Sequence, residues 1–421
     1  MKTRRQIASL HLHWWPVGQG LYSSGVIRTS SDSAFSWVYD CGTTSNQFLI
    51  DRALHMDQTE RVSVGVEKID LVVLSHFDKD HISGFSRLIA ACPIKRLLIP
   101  YVPLWKRLVL AIEQGVSAED PTFLFFLNPV AYLRGIEGSD IEDIVFVPTG
   151  EPDDGPSAPD DPEPPILPES EEFELTWPPV GDLNLEIGDT PTEAVGDPAV
   201  EQDEQGKEPI FLKPSGRLVV PSFWEFVPYN DAEQQPKASA DFITQAEFLL
   251  DLVKNDVTKR IQAFENLKGL YIETFGSTPK NKNIISLFLY SGPISTRLQL
   301  DTVLTSHLVE RPAITTRYAQ IHTGDGTLKG AHYTRFENFF KRSRRLQKLG
   351  LFQVMHHGAK PQWHAGIAAK LNPTASIFSS DPAHEVYKHP RPEVLRDFWP
   401  YHPIQVDNVT GFHLFGYLIL I

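Results

Sequence analysis

Cysteine is almost missing. Cys41 and Cys92 are the only two in 421 residues, too few for a disulfide framework or a thiolate metal site. No apolar run approaches the roughly 20 residues that a membrane helix needs. The nearest, residues 412–421, contains His413 and Gly416 and reads as a strand. The start of the chain is basic but leads into His11 and His13 rather than an apolar signal core. These absences set the expectation of a soluble, cytoplasmic chain with no membrane partner. Basic residues are scarce in one place only. Residues 151–210 hold 19 acids and a single base, Lys207, so the net charge of −14 divides into −18 there and +4 over the rest. The acidity belongs to one segment, and the mildly basic body can meet an anionic substrate.

What is present reads as α/β. Leu10–Val17 and Phe35–Tyr39 are strand-like, with a turn at Gly18-Gln19-Gly20. Ile69–Leu74 is a short continuous apolar run, the mark of a strand covered on both faces. Residues 104–113 and 122–133 read as helices and 144–147 as a strand. Residues 151–210, with 12 prolines and few aliphatics, cannot bury enough surface to offset ordering entropy. They are expected to form a disordered acidic insert, with 173–178 as its local anchor. It divides residues 1–150 and 211–421, the two halves of one domain. Apolar residues recur at three or four positions from Phe242 to Phe264, which predicts one long amphipathic helix over 239–268. Later come a strand at 284–290, a basic helix at 335–348 anchored by Phe336, Phe339 and Phe340, a strand at 351–355 and a βα unit at 375–398.

The chemistry is concentrated at the end of the buried strand. His76-x-Asp78-x-Asp80-His81 places four ligand-type side chains in six residues, a costly arrangement unless a cation compensates. His76 and Asp78 share a side, so the turn can feed two neighbouring metals with two ligands each. Two further strand ends carry Thr323-Gly324-Asp325 and His356-His357-Gly358. Neither is informative alone; the recurrence is.

The His76–His81 run resembles the metallo-β-lactamase signature HxHxDH, with Asp78 in place of the middle histidine. It is most similar to the lactamase-like domain of bacterial DNA-uptake competence proteins. That resemblance rests on an ordered set: Val17–Gly20, Val38–Gly42, Ser75–Gly84, Asn283–Leu289, Thr323–Asp325, Val354–Gly358 and His389–Leu395. It implies an αββα sandwich with a metal site at one edge. His76 and Asp78 would bind one metal, Asp80 and His81 the other, and Asp325 would bridge them. One of His356 and His357 would be the late histidine ligand. Asp40 would orient a ligand, with Gln19 beside it, and His389 would line the substrate end. The family's histidine between the HxHxDH run and the bridging aspartate has no matching position; His307 and His322 are the candidates.

Two divalent ions in such a site ready water near neutral pH and stabilise both oxygens of a displacement. An extra carboxylate at Asp78 shifts preference from zinc towards manganese, with magnesium also admissible. Asp80 and Asp325 are the candidate catalytic residues. The expected activity is metal-dependent phosphodiester hydrolysis, most readily by a nuclease on DNA or RNA, with a place in a bacterial antiviral defence system. The alternatives are a small-molecule phosphodiesterase or esterase acting on a cyclic nucleotide or phosphocholine-type group, and a non-catalytic partner subunit. Arg342 and Arg345 on the basic helix are candidates for phosphate steering. The acidic insert would lie over a cationic cleft until a regulatory protein partner displaces it.

Overall fold

Alternation along the strands decides the architecture. The computed structural model describes residues 5–29, 33–150, 155–157, 182–202, 206–234, 239–275, 286–305 and 314–420. The strands are β1 (Arg5–Trp14), β2 (Gly20–Thr29), β3 (Ala34–Thr43), β4 (Ile69–Val73), β5 (Ile94–Pro100), β6 (Ile141–Val147), β7 (Asn184–Leu185), β8 (Ile210–Phe211) and β9 (Leu218–Val220). They continue with β10 (Trp224–Tyr229), β11 (Phe288–Pro293), β12 (Leu298–Thr305), β13 (Ala319–His322), β14 (Leu349–Gln353), β15 (Ala375–Ser379), β16 (Pro403–Val406) and β17 (Phe412–Leu420). One sheet runs β12-β17-β1-β2-β3-β4-β5-β6-β8 and the other β16-β15-β14-β13-β11-β10-β9-β7.

In β4, Leu71 and Val73 face the second sheet, while Ile69 and Val72 face helices on the outer side. The same division recurs in the next strands, where Leu98 and Val145 point inward and Leu97 and Ile144 outward. A third apolar layer, around Phe336, Phe339, Phe352 and Phe398, lies between the second sheet and its own helices. Three apolar layers between four layers of structure make an αββα sandwich, as the family resemblance implies. No helix among the described residues is long and apolar enough to cross a membrane.

The first sheet is covered by α1 (Gln47–Ser63), the site turn α2 (Lys79–Ile82), α3 (Phe85–Ala91), α4 (Leu104–Glu113), α5 (Phe123–Leu127) and α6 (Pro129–Arg134). The predicted 239–268 helix is two helices, α7 (Ala240–Asn255) and α8 (Arg260–Phe275). Asp256 breaks it: its Oδ1 accepts the backbone N–H groups of Thr258 and Lys259, a local alternative to helix continuation. Val257, read as an apolar-face residue, is 72% exposed.

Much of the acidic segment, including the anchor expected at 173–178, lies outside the described residues. The described part, 182–202, is docked. Asp197 sits 5% exposed and accepts two guanidinium bonds from Arg107 of α4, at 2.8 and 2.7 Å. The second sheet is backed by α9 (Ala331–Lys341), α10 (Arg345–Lys348), α11 (Ile367–Leu371) and α12 (Pro392–Phe398).

Candidate metal centre

The strand ends converge at one edge of the sandwich. β4 delivers Ser75 and His76, the following turn Asp78, Asp80 and His81, β13 leads to Asp325, and β14 to His356 and His357. The turn approaches so closely that a Cβ on Gly42 would lie 2.5 Å from the His81 carbonyl carbon and 2.6 Å from that of Asp80. Only glycine lets β3 pass there.

Asp325, fully buried, is the hub. Its Oδ1 lies 3.2 Å from His81 Nε2 and 3.4 Å from His357 Nε2. Its Oδ2 lies 3.4 Å from His356 Nε2 and 3.8 Å from His76 Nε2. Asp80 Oδ2 stands 3.1 Å from His357 Nε2, and Asp78 Oδ2 is 3.9 Å from His76 Nε2. Sequence alone left His356 and His357 as alternatives for one role; the structure turns both towards Asp325, one to each oxygen. Successive residues of an extended chain face opposite ways. Here both adopt left-handed backbone, φ 46° and 56°, and that turn brings their rings to a common carboxylate.

The hydrogen bonds behind the rings fix their tautomers. Ser75 donates its N–H to Asp40 Oδ1 and its hydroxyl to Asp40 Oδ2, both at 2.7 Å. Having one proton to give, that hydroxyl accepts from His76 Nδ1–H at 2.8 Å. His81 Nδ1–H donates to Asp40 Oδ2 at 2.7 Å, and His357 Nδ1–H to the Ser379 carbonyl. The Nε2 lone pairs of all three rings therefore point at carboxylate oxygens or, for the buried His76 Nε2, at no hydrogen-bond partner. Lone pairs aimed at anions repel unless positive charge lies between them, so this donor set fits divalent cations.

The proton affinities express the same conflict. Burial opposes protonation of His81, but the carboxylates Asp325, Asp40 and Asp80 push it well above the ordinary histidine range. Burial and the neighbouring His81 hold His76 down to about 3. Asp325 resists the upward pull of burial and is held well below the usual carboxylate range by His356, His357 and His81.

Asp40 itself has φ 54°, which asparagine also tolerates, so Asp40→Asn should fold. Its amide offers His81 Nδ1 a donor in place of an acceptor, turning the proton to Nε2. We expect metal affinity to fall about 10–100-fold, read by titration calorimetry on the stripped protein.

The remaining expected residues fall less uniformly. Gln19 does not touch the cluster; its Oε1 accepts the Asp381 N–H at 3.4 Å, steadying the segment whose Ser379 carbonyl orients His357. His389 lies beside the site, its ring centroid 6.0 Å from that of His356. Of the two candidates for the missing family histidine, His307 lies outside the described residues. His322 is fully buried between the sheets, bonded to Ser23 Oγ at 2.9 Å and stacked on Tyr39.

The phosphate-steering role expected of Arg345 is overturned. Its guanidinium is fully buried against Glu225, with Nε–Oε1 at 3.0 Å and Nη2–Oε2 at 2.9 Å. Arg342, in the kink before α10, stands with it ahead of β14. The five residues of β14 put roughly 16 Å of strand between that end and the histidine pair. A group of cations close in sequence to the late site residues went unrecognised. Lys360, Arg391 and Arg396 line a hollow of about 700 Å³, two of them within two residues of Gly358 and His389. Tyr387 was also missed. Its ring stacks on that of His389, centroids 6.2 Å apart, and burial and the charges of Asp80, Asp78 and Asp325 raise its proton affinity.

Paired sheets with a histidine–aspartate cluster at their common edge define the metallo-β-lactamase fold. Residues 17–182 match the family model of the metallo-beta-lactamase superfamily, whose members are mostly metal-dependent hydrolases and typically bind divalent metals. Among solved structures, the chain is similar to the metallo-beta-lactamase fold protein YhfI from Bacillus subtilis. The identity is 10%, the alignment covers 94% of this chain and 95% of that one, and the TM-score is 0.34. No curated protein matches it.

Proposed function

We propose that the chain is a two-metal phosphodiester hydrolase, a nuclease acting on DNA or RNA. The observation that carries this is the division of Asp325 between two ligand sets. His76, Asp78 and His356 would hold one ion with Oδ2; Asp80, His81 and His357 would hold the other with Oδ1. His356 thus fills the place of the family histidine that the sequence lacks. Two such ions supply a readied water and neutralise charge on a phosphate. The chain's own residues do the rest. Asp40 and Ser379 set the ring tautomers, Asp80 accepts the proton of the attacking water, and His389 and Tyr387 close the mouth.

Asp78, standing where the signature has a histidine, makes the donor set richer in oxygen, which favours manganese over zinc, with magnesium next. Lys360, Arg391 and Arg396 take over the attraction of a polyanion from the buried Arg345. A reducing cytoplasm suits the two buried free thiols, Cys41 and Cys92. Kinship with the competence-protein domain, an effector role in bacterial defence and release by a regulatory protein partner extend the same reading.

The test is cleavage of plasmid DNA, structured RNA and a chromogenic phosphodiester with manganese and with zinc. We expect nicking or RNA cleavage with manganese, abolished by a chelator and restored by the ion. Arg391→Ala should raise KM for plasmid roughly tenfold at low salt with kcat unchanged. Turnover of the small diester with both polymers intact would move the assignment to a small-molecule phosphodiesterase. No turnover of any of them by metal-loaded protein would overturn the hydrolase.

A further inference from the structure

A second cluster of imidazoles lies on the helix side of the first sheet, away from the strand ends that form the candidate centre. His11 and His13 are two residues apart in β1 and so face the same way. In the antiparallel neighbour β17, His413 stands directly opposite His13. Leu12, between them, and Trp14, after them, point to the other face, where Trp14 stacks on His322 inside the sandwich, centroids 5.4 Å apart. The rings of His13 and His413 are 4.3 Å apart. One nitrogen from each of the three histidines lies within 4.8 Å of the others. From above, α1 lowers Glu60, whose Oε2 reaches His13 Nε2 at 2.8 Å.

We propose that His11, His13 and His413, completed by Glu60, bind a zinc-class divalent cation at a site separate from the Asp325 centre. Three imidazole nitrogens and one carboxylate oxygen are a tetrahedral zinc donor set. His11 and His413 offer lone pairs rather than protons. Burial and the neighbouring His13 and His413 hold His11 down to about 4, with Arg28 adding to the effect and Glu60 opposing it. Burial and His13 also lower His413. Rings that resist protonation yet crowd beside a carboxylate accept a metal with little competition from protons. The partly exposed Glu60, at 46%, leaves the ion a path from solvent. Bound there, the cation would clip β1 and β17 to α1.

The experiment counts zinc on the full chain. Protein stripped with a chelator is dialysed against zinc, and the bound metal is measured by plasma mass spectrometry. The wild type should retain one equivalent more than His11→Gln/His413→Gln, and Asp325→Ala should keep that equivalent. Cobalt-loaded Asp325→Ala should show tetrahedral d–d bands that His413→Gln removes, so failure of this site is distinguishable from failure of the Asp325 centre. Equal zinc content in the wild type and the folded double variant would overturn the proposal. Should the double variant not fold, wild-type crystals equilibrated with zinc decide. An anomalous peak among the three rings supports the site, and its absence there refutes it.

Discussion

Alanine at Asp325 should lower metal-dependent hydrolysis by at least about a thousand-fold, the scale on which removal of a preorganised charge-stabilising group acts. The carboxylate is the one group shared between the two ligand sets. Its oxygens lie 3.2 Å from His81 Nε2 and 3.4 Å from His356 Nε2. In the proposed two-ion arrangement its loss would remove one donor from each ion and the bridge between them. Four imidazoles, Asp78 and Asp80 remain, enough for one ion held loosely. Manganese binding measured by calorimetry should fall from two sites to one or none. Steady-state kinetics should show the loss in kcat more than in KM, because the substitution leaves the proposed phosphate-attracting Lys360 and Arg391 in place. Asp325→Asn keeps the shape and a single acceptor oxygen. If its activity stays within tenfold of the wild type, Asp325 is not the bridge.

Breaking the Arg107–Asp197 pair should destabilise the protein by about 3–5 kcal/mol, the cost of leaving one buried charge without its partner. Arg107 is 1% exposed. Besides Asp197, its guanidinium donates to the carbonyls of Val102 at 2.7 Å, Phe126 at 2.8 Å and Leu127 at 3.0 Å. This cation therefore ties α4 and α5 to the acidic segment. Asp197→Ala leaves it buried and short of its anion, and should lower the urea midpoint with little change in slope. Arg107→Met with Asp197→Leu removes both charges and should recover most of the loss. Hydrogen exchange should rise across 182–202 in the single variant.

Legibility followed the range of the interactions. Ile69–Leu74 declared a doubly covered strand because its environment is written in consecutive residues, and the same holds for the His76–His81 turn. Burial and register over long separations were hidden. Arg345 looked like one cation on a basic helix because Glu225, its partner, is 120 residues away. The His11–His13–His413 group was invisible until β1 and β17 paired. That His356 and His357 both face Asp325 depends on two left-handed φ angles, which no spacing announces. The 239–268 stretch failed locally, since the apolar rhythm runs through Val257 while the Asp256 side chain halts the helix.

The register of β17 also bears on how the molecule reaches its native state. It lies between β12 and β1, pairing Leu420 with both Leu298 and Arg5. Until the ribosome has passed residue 420, β1 keeps an open edge and β12 has no place in its sheet. The nascent chain thus carries an adhesive strand edge until β17 emerges. Truncation before Phe412 should produce inclusion bodies rather than a smaller enzyme.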